Sequence, residues 1–380
     1  MNKVYLDHAA TTPIRVEVYE KMVEYMAKDF ANADSIHSLG RDSANIVLAC
    51  RDNIAKLIGA DSKEIYFTSG GTESDNWAIK GVAFANKDKG KHIITTKIEH
   101  PAVYNSCAFL EENGFNVTYL DVNKDGFVSS EDLIKAIRED TILISIMFAN
   151  NEIGTIQDIK ALAAIAKERG IIFHTDAVQA TGTIKYDVKD LGVDLLSISG
   201  HKFYGPKGIG ILYIKEGTKI APFVNGGEQE RGRRGGTTPT SLIVGIDEAL
   251  TIASKEMDNN NANIYYLKQR LIDGLKKENI VVNGSLDKDK SLPGTVSITF
   301  NKTKPGIVLN NLDMCGICAS AGSACTAASE KPSRTLLSIG LSEEDSKRSV
   351  RFSIGRDNTK EEIDYAISTL KDILQRVRED

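Results

Sequence analysis

Apolar runs of strand length alternate with segments of helical period from about Arg41 to Tyr213. The candidate strands are Ile65–Thr68, His92–Thr96, Val117–Tyr119, Ile142–Met147, Ile171–His174, Leu195–Ser199 and Gly210–Ile214. The helical segments between them include Glu73–Asn86, Ala102–Glu112, Glu131–Arg138 and Ile159–Arg169. This alternation predicts crossover units, and therefore an α/β fold with a mostly parallel central sheet and helices on both faces.

The rest of the chain indicates a second, smaller domain. Thr240–Asn279 reads as one long helical region that leaves the first domain. Beyond it, strands near Gly294–Phe300 and Ser349–Ile354 precede a terminal helix, Lys360–Arg376. We therefore expect a large domain of residues 15–255 and a small α+β domain of residues 1–14 and 256–380, and 380 residues are enough for both.

The composition excludes several classes of protein. A net charge of −5 removes the bulk electrostatic argument for a nucleic-acid partner. No apolar run approaches the roughly 18 residues of a membrane helix, and the chain starts without an apolar signal segment. Five cysteines in so long a chain are not typical of a disulfide framework, so we expect a reducing cytoplasm.

A lysine in a glycine-rich turn is the sharpest local signal. Lys202 follows the candidate strand Leu195–Ser199, with His201 beside it and three glycines nearby. To act on a carbonyl group its amine must become neutral, which requires the lysine pKa near 10.4 to fall by about 3 units. Burial at a strand end favours that change, but a surface lysine in a turn explains the motif equally well.

Two further segments fit a phosphate and a ring nitrogen. Phe67-Thr-Ser-Gly-Gly-Thr-Glu-Ser-Asp-Asn76 reads as a strand, a glycine turn and a helix start, where backbone N–H groups and Thr72 favour a phosphate. Asp176 comes just past a strand, at the sheet edge where open α/β proteins bind ligands, and could hold a pyridine nitrogen protonated. An ordinary helix cap explains either segment when it is taken alone.

His100 and Cys325 complete the set of candidate catalytic groups. His100 follows a strand and could stack on an aromatic ring and move protons, although a histidine before a proline is also a common cap. Cys325 lies in a run of small residues, Ala321-Gly-Ser-Ala-Cys-Thr-Ala327, which predicts a mobile loop with an exposed thiol.

Taken together, these motifs resemble cysteine desulfurases of the NifS/IscS type, which are pyridoxal-phosphate enzymes of the aspartate-aminotransferase fold. The resemblance also includes Tyr5-Leu-Asp-His-Ala-Ala-Thr-Thr-Pro13, Asn150-Asn-Glu-Ile-Gly154 and Glu230-Arg-Gly-Arg-Arg-Gly-Gly-Thr237, and it covers nearly the whole chain in the order of the family. It implies the PLP-dependent transferase fold (aspartate-aminotransferase type I), with pyridoxal 5'-phosphate as the cofactor.

The resemblance also assigns roles to individual residues. Lys202 would carry the cofactor, Asp176 would pair with its ring nitrogen, His100 would stack on the ring, and Cys325 would be the nucleophile that becomes a persulfide. The other cofactor contacts would be Gly71, Thr72, Asn151, Gln179, Ser199, Gly200, His201 and, from the neighbouring subunit, Thr237. Asn151 and Arg351 would bind the substrate, with Arg351 holding its carboxylate.

The activity that follows is removal of sulfur from L-cysteine, giving L-alanine and a persulfide on Cys325. The resemblance implies a homodimer with composite sites and an acceptor protein, either an iron–sulfur scaffold or a tRNA-thiolation or other cofactor-thiolation enzyme. The nearest rival is a class-V aminotransferase or another lyase on the same fold. Such an enzyme also needs Lys202 and Asp176 but does not need Cys325.

Three motifs resemble binding sites of other classes. Asp121–Asp132 nearly matches a calcium loop, but a strand precedes it and its last ligand position is Asp, so we expect a turn at Lys124-Asp-Gly126 and a helix entered through Ser129 or Ser130. Cys315, Cys318 and Cys325 are too few thiols for a metal site, since Cys50 and Cys107 lie far off in sequence on predicted helices. We therefore expect no metal site. We expect Cys315 and Cys318 in a buried strand, although Cys318 could form a disulfide or polysulfide with Cys325. The arginines near Glu230 fit an active-site loop better than an RNA-binding segment.

Overall fold

The computed structural model describes residues 3–28, 30–322 and 331–378. Twelve strands, β1 to β12 in chain order, lie in this part of the chain: Val4–Tyr5, Ile65–Thr68, His92–Thr96, Asn116–Leu120, Thr141–Ser145, Ile172–Asp176, Leu195–Ser199, Gly210–Ile214, Ile280–Asn283, Thr295–Phe300, Ile317–Cys318 and Ser349–Ser353. The α-helices, α1 to α13, are Val16–Ala27, Ser38–Ile58, Gly71–Asn86, Pro101–Glu112, Ser130–Ala136, Ile159–Glu168, Val188–Leu191, Gln229–Gly232, Thr240–Leu275, Ile307–Met314, Arg334–Ser338, Glu343–Lys347 and Lys360–Val377.

Seven strands form the central sheet, in the order β2-β8-β7-β6-β5-β3-β4. The neighbours from β7 through β6, β5 and β3 to β4 are parallel, whereas β8 is antiparallel to both β7 and β2. All residues of β2, β3, β5, β7 and β8 are buried, because helices cover both faces. The predicted α/β fold with a mostly parallel sheet is confirmed, and β8 is the strand that departs from the parallel pattern.

The second sheet belongs to a separate hydrophobic core. Its strands have the order β12-β10-β9 and are antiparallel, and α13 packs its apolar face against the same core. Helix α9 joins the two cores, since Ile243 near its start lies in the large core and Leu271 near its end lies in the small one. The boundaries at residues 14/15 and 255/256 stay a prediction.

The N-terminal strand lies in the small-domain region although its chain continues into the large one. β1 pairs in parallel with β11, so that Val4 faces Ile317, and Asp7 forms a bridge to Ser353. The next residues pass along the large sheet, where the N–H of Thr12 donates to the carbonyl of His201. Residues 4–12 therefore connect the two cores at the edge where the large sheet ends.

The segment that resembles a calcium loop forms a turn and a capped helix. The N–H of Gly126 donates to the carbonyl of Asn123, and Gly126 has φ +85°, a conformation that favours glycine. The hydroxyl of Ser129 accepts the N–H of Asp132 at 3.2 Å and so caps α5, which begins at Ser130. Among the described residues, none of the helices is both long and apolar enough to cross a lipid bilayer.

Candidate active site

The predicted site residues come together where the parallel strands of the large sheet end. Asp176 is the last residue of β6, Ser199 is the last residue of β7, and His100 lies four residues beyond β3. Because the carboxyl ends of parallel strands meet at one edge, these side chains converge there. A cavity of about 160 Å³ at this edge is lined by Ala9, Ala10, Gly71, Thr72, Asp75, His100, Met147, Asn151, Asp176, Val178, Gln179, Ser199, His201, Lys202 and Arg351.

One end of the cavity is rich in hydrogen-bond donors. Helix α3 begins at Gly71, so its free N–H groups lie at this end, and Thr72 adds a hydroxyl. A Cβ atom on Gly71 would lie 2.7 Å from the Val178 side chain, so a larger residue would crowd this end of the cavity. The neighbouring acid, Glu73, is turned away and accepts two hydrogen bonds from Arg234, at 2.8 and 3.1 Å. The donors at this end therefore suit an anion.

His201 contributes a neutral imidazole to the same end. Its Nδ1 lies 3.1 Å from the hydroxyl of Thr11. Burial, with help from the charges of Lys202 and Lys207, lowers the pKa of His201 to about 4. The ring is therefore neutral at physiological pH, and one of its nitrogens can donate a hydrogen bond.

Lys202 ends the short 3-10 turn Gly200–Lys202 that follows β7. Its Nζ donates to the carbonyl oxygens of Ala9, at 2.6 Å, and Ala10, at 2.8 Å. Both acceptors belong to the N-terminal segment, which makes this segment part of the site. Gln179 is held by the same segment, because its side-chain amide donates to the carbonyl of Ala9 at 3.0 Å.

Asp176 is a buried carboxyl group in the lining of the cavity. Its Oδ1 accepts the N–H of Val178 at 2.9 Å. Burial raises the pKa of Asp176 to about 6, and the Val178 N–H and the charge of Lys202 oppose that rise. Asp176 is therefore mainly ionised at neutral pH and can pair with a cationic ring nitrogen.

His100 presents a fixed tautomer to the cavity. Its Nδ1 accepts the N–H of Ala102 at 3.1 Å at the start of α4, so in the neutral ring the proton resides on Nε2. Burial, followed by the nearby charges of Lys202 and Arg334, lowers the pKa of His100 to about 4. His100 caps α4 and also lines the cavity, so the two roles weighed from the sequence, a helix cap and a residue that faces a ring, are compatible.

Arg351 reaches the cavity from β12 of the small domain. Its guanidinium is buried, with Nη2 2.6 Å from Oδ1 of Asp7 and Nη1 3.1 Å from the carbonyl of Asn151. Its Nε has no hydrogen-bond partner. A buried N–H without a partner is costly, so this group is suited to an incoming acceptor such as a carboxylate.

Two predicted cofactor residues do not line this cavity. Gly200 is buried beneath it, with its N–H donating to the carbonyl of Ile209. Thr237 is exposed and lies in the segment between α8 and α9. Cys325 lies outside the described residues, so its predicted role stays a prediction.

Asp75 lines the cavity although sequence reasoning gave it no role. It lies three residues after Thr72 on α3, and residues three apart share one face of a helix, so this spacing could have identified it. A carboxylate oxygen of Asp75, a carboxylate oxygen of Asp176 and a ring nitrogen of His100 lie within 4.8 Å of one another. Such a set could hold a metal ion, but its neutral imidazole and its place beside Lys202 fit a heterocyclic ring equally well.

The other cysteines are distributed as follows. Cys50 and Cys107 are buried on α2 and α4, on helices as predicted. Cys315 caps the end of α10 and Cys318 lies on β11; both are partly exposed, in contrast to the buried strand that we expected for them.

The comparisons with known proteins agree with this geometry. A family model described as Aminotransferase class-V matches residues 4–366, so the chain belongs to the class-V aminotransferase family. The cysteine desulfurase IscS of Clostridium botulinum (strain Hall) is 49% identical over 382 residues, which cover 100% of this chain and 96% of that protein. The resemblance to cysteine desulfurases that the motifs carry is confirmed.

Solved structures support the same relationship. A NifS-like protein with 36% identity has a TM-score of 0.93 and covers 99% of this chain and 100% of that one. A structure described as SspA in complex with cysteine has 38% identity and a TM-score of 0.83, and covers 94% of this chain and 100% of that one. The PLP-dependent transferase fold predicted from the sequence is confirmed.

Proposed function

We propose that this protein is a cysteine desulfurase that binds pyridoxal 5'-phosphate, removes sulfur from L-cysteine and releases L-alanine. The sulfur is left as a persulfide on Cys325 and passes to an acceptor protein, either an iron–sulfur scaffold or a tRNA-thiolation or cofactor-thiolation enzyme. The observation that carries this proposal is the single cavity in which Lys202, Asp176, His100 and Arg351 meet.

The residues present fit the cofactor. As a phosphate requires, one end of the cavity offers neutral donors from the N-terminus of α3, Thr72, Ser199 and His201, and Glu73, next to Thr72, is engaged by Arg234. Elsewhere in the lining Asp176 is buried and able to hold a negative charge, as a protonated ring nitrogen requires. Gly71, Asn151, Gln179 and Gly200 are the remaining proposed contacts, with Gly200 acting from beneath by shaping the turn.

When bound, pyridoxal phosphate supplies an electron sink for the α-carbon of an amino acid. Arg351 binds the substrate carboxylate through its free Nε, while Asn151 and Asp7 fix the orientation of the guanidinium. Lys202 would hold the cofactor, and as a neutral amine it would move the α-proton from a position set by the Ala9 and Ala10 carbonyls.

Sulfur transfer balances as cysteine plus enzyme thiol giving alanine plus enzyme persulfide. The thiolate of Cys325 forms a bond to the substrate sulfur while the bond from that sulfur to Cβ breaks, and the electron pair of the broken bond stays on the carbon skeleton. Protonation of that skeleton gives alanine. His100, neutral with its proton on Nε2, is the proposed proton donor and acceptor on the substrate side.

A homodimer is also part of the proposal. Helix α1 exposes a stripe of Val16, Tyr19, Val23 and Met26 at spacings of three and four residues, and their exposed fractions are 67, 56, 41 and 54%. We infer that a second copy covers this stripe and that each subunit donates Thr237 to the other's phosphate site. Tyr19→Glu should convert the dimer to a monomer in light scattering and weaken cofactor binding; a native chain that is already monomeric would contradict the inference.

A cytoplasmic location is proposed for the same enzyme. The four described cysteines are free thiols, which is typical of a reducing compartment. Fractionation of the cells that make the protein tests this, and recovery with the secreted material would contradict it.

The test of function uses the full chain with L-cysteine and a reductant. We expect alanine and sulfide in equal amounts. Cys325→Ala should abolish both products while the yellow cofactor absorption remains, and Lys202→Ala should remove both the absorption and the products. Full turnover in Cys325→Ala would instead favour a class-V aminotransferase or another lyase.

A further inference from the structure

Asp75 is a second buried carboxyl group in the cavity, and the proposed mechanism does not use it. It lies on α3 and is 1% exposed. Its Oδ1 has no hydrogen-bond partner, and the nearest cation candidate, Nε2 of His174, is 3.7 Å away. An ionised carboxylate in this position would lack the partners that buried charges normally have.

His174 does not supply the missing positive charge. It is fully buried, with Nδ1 2.8 Å from the hydroxyl of Ser145 and Nε2 3.0 Å from that of Ser197. Burial lowers the pKa of His174 to about 3, so the ring is neutral at physiological pH. The environment of Asp75 on this side is therefore made of neutral groups.

Asp176 lies on the other side of Asp75. A carboxylate oxygen of each acid lies within 4.8 Å of the other and of a ring nitrogen of His100, and both acids are buried. Two carboxylates this close do not both ionise in such surroundings, so one of them keeps a proton. Glu99, also buried, is a third acid that disfavours a charge on Asp75.

The two members of the pair have different partners. Asp176 accepts a backbone N–H and is stabilised as an anion by Lys202. Asp75 has the Ser197 hydroxyl as its favourable contact, and burial together with the charge of Asp176 raises its pKa well above the ordinary value. The proton therefore stays on Asp75.

We propose that Asp75 is a positioning residue that remains protonated beside an ionised Asp176, so that the pair presents a single negative charge to the ring nitrogen of the bound cofactor. The role rests on the proposed function, whereas the charge of the pair is a property of the chain with or without cofactor. A second ionised carboxyl would leave an uncompensated negative charge in the cavity, because the ring nitrogen offers one positive charge and Asp176 already pairs with it.

Infrared difference spectra of the full chain, with and without pyridoxal phosphate, test the inference. At pH 7, Asp75→Asn should lose a carboxylic-acid band, whereas Asp176→Asn should lose a carboxylate band. In Asp176→Asn the acid band of Asp75 should titrate at lower pH than in the native chain, because the like charge is gone. A carboxylate band lost in Asp75→Asn, or an unshifted Asp75 titration in Asp176→Asn, would overturn the proposal.

A matched control separates this effect from burial alone. Asp247 is a buried acid with a raised pKa that does not line the cavity, so Asp247→Asn should leave the titration of Asp75 unchanged. If Asp75→Asn does not fold, carbon-13 carboxyl signals of aspartate in the native chain and in Asp176→Asn give the same two readings. A chain that binds no pyridoxal phosphate refutes the proposed function, while the cofactor-free spectra still decide the charge of the pair.

Discussion

The buried ion pair between Arg51 and Glu230 offers a sharp test of how the loop carrying Thr237 is held. Arg51 binds both carboxylate oxygens of Glu230, at 2.7 and 2.8 Å, and the two side chains are 10 and 6% exposed. Glu230 also accepts the N–H of Phe67 on β2, three residues before Gly70, the first glycine of the turn at the start of α3. Its backbone has φ 47°, which is strained for a residue other than glycine.

The perturbation is Arg51→Met, which keeps an apolar stem of similar length and removes the charge. Glu230 is then a buried carboxylate with one remaining backbone donor. Breaking a buried pair by removing one partner costs about 3–5 kcal/mol, whereas an exposed pair contributes about 0–1 kcal/mol. We therefore expect Arg51→Met to lower the free energy of unfolding by about 3–5 kcal/mol. Adding Glu230→Gln should restore part of that loss, because the unpaired charge is gone.

The assay is urea unfolding of the full chain without cofactor, followed by tryptophan fluorescence. The chain has one tryptophan, Trp77, which is fully buried on α3 beside the central sheet and therefore reports on unfolding of the large domain. The matched control is Lys160→Met, because Lys160 pairs with Asp190 at 2.6 Å while the two side chains are 62 and 66% exposed. If Arg51→Met shifts the unfolding midpoint no more than Lys160→Met does, the reasoning from burial is refuted.

Two further predictions concern the site. His100 should stay neutral, with its proton on Nε2, from pH 8 down to about pH 5, because burial and two nearby cations lower its pKa to about 4. Its preference for the neutral ring stabilises the fold above the ordinary pKa near 6.5 and is lost as the pH falls toward 4; nitrogen-15 spectra that show titration near 6.5 would contradict this. Glu152→Gln should slow persulfide formation on Cys325, measured by mass spectrometry, on the order of tenfold without altering the cofactor absorption. The reason is that Glu152 contacts both residues that flank the segment 323–330: its carboxylate accepts a hydrogen bond from Ser333 at 2.5 Å and lies against Gly322. An unchanged rate of persulfide formation would contradict this prediction.

The elements of the large sheet could be predicted from the sequence because both faces are covered. A strand buried on both sides is a short, continuous apolar run, and β2, β3, β7 and β8 begin and end at the predicted residues. The antiparallel direction of β8 could not be predicted, since the apolar pattern of a buried strand is the same in either direction. The pairing of β1 with β11 was also missed, because two residues carry no periodicity and their partner is more than 300 positions away.

The candidate site was predictable in outline for a different reason. Asp176, Lys202 and His100 each lie at or just after the end of a strand. Because the carboxyl ends of parallel strands meet at one edge of the sheet, their positions in the sequence predict that the three side chains lie close together. Asp75 was missed because an acid inside a helix usually faces solvent. The spacing from Thr72 indicates which face of α3 carries Asp75, but its burial depends on how α3 packs on the sheet, where Asp75 lies against His174 of β6.

The route of residues 4–12 has a consequence for how the protein matures during synthesis. The carbonyl groups that hold Lys202 are made before Lys202 itself, yet the strand that anchors them, β1, needs Ile317 and Cys318 as its partner. A nascent chain with a complete large sheet still lacks the pairing of β1 with β11, because the chain is made from its N-terminus onward. The β1 anchor of the reactive amine is therefore set in place only after residue 318 has been made, and a product that ends before this residue carries the lysine without that anchor.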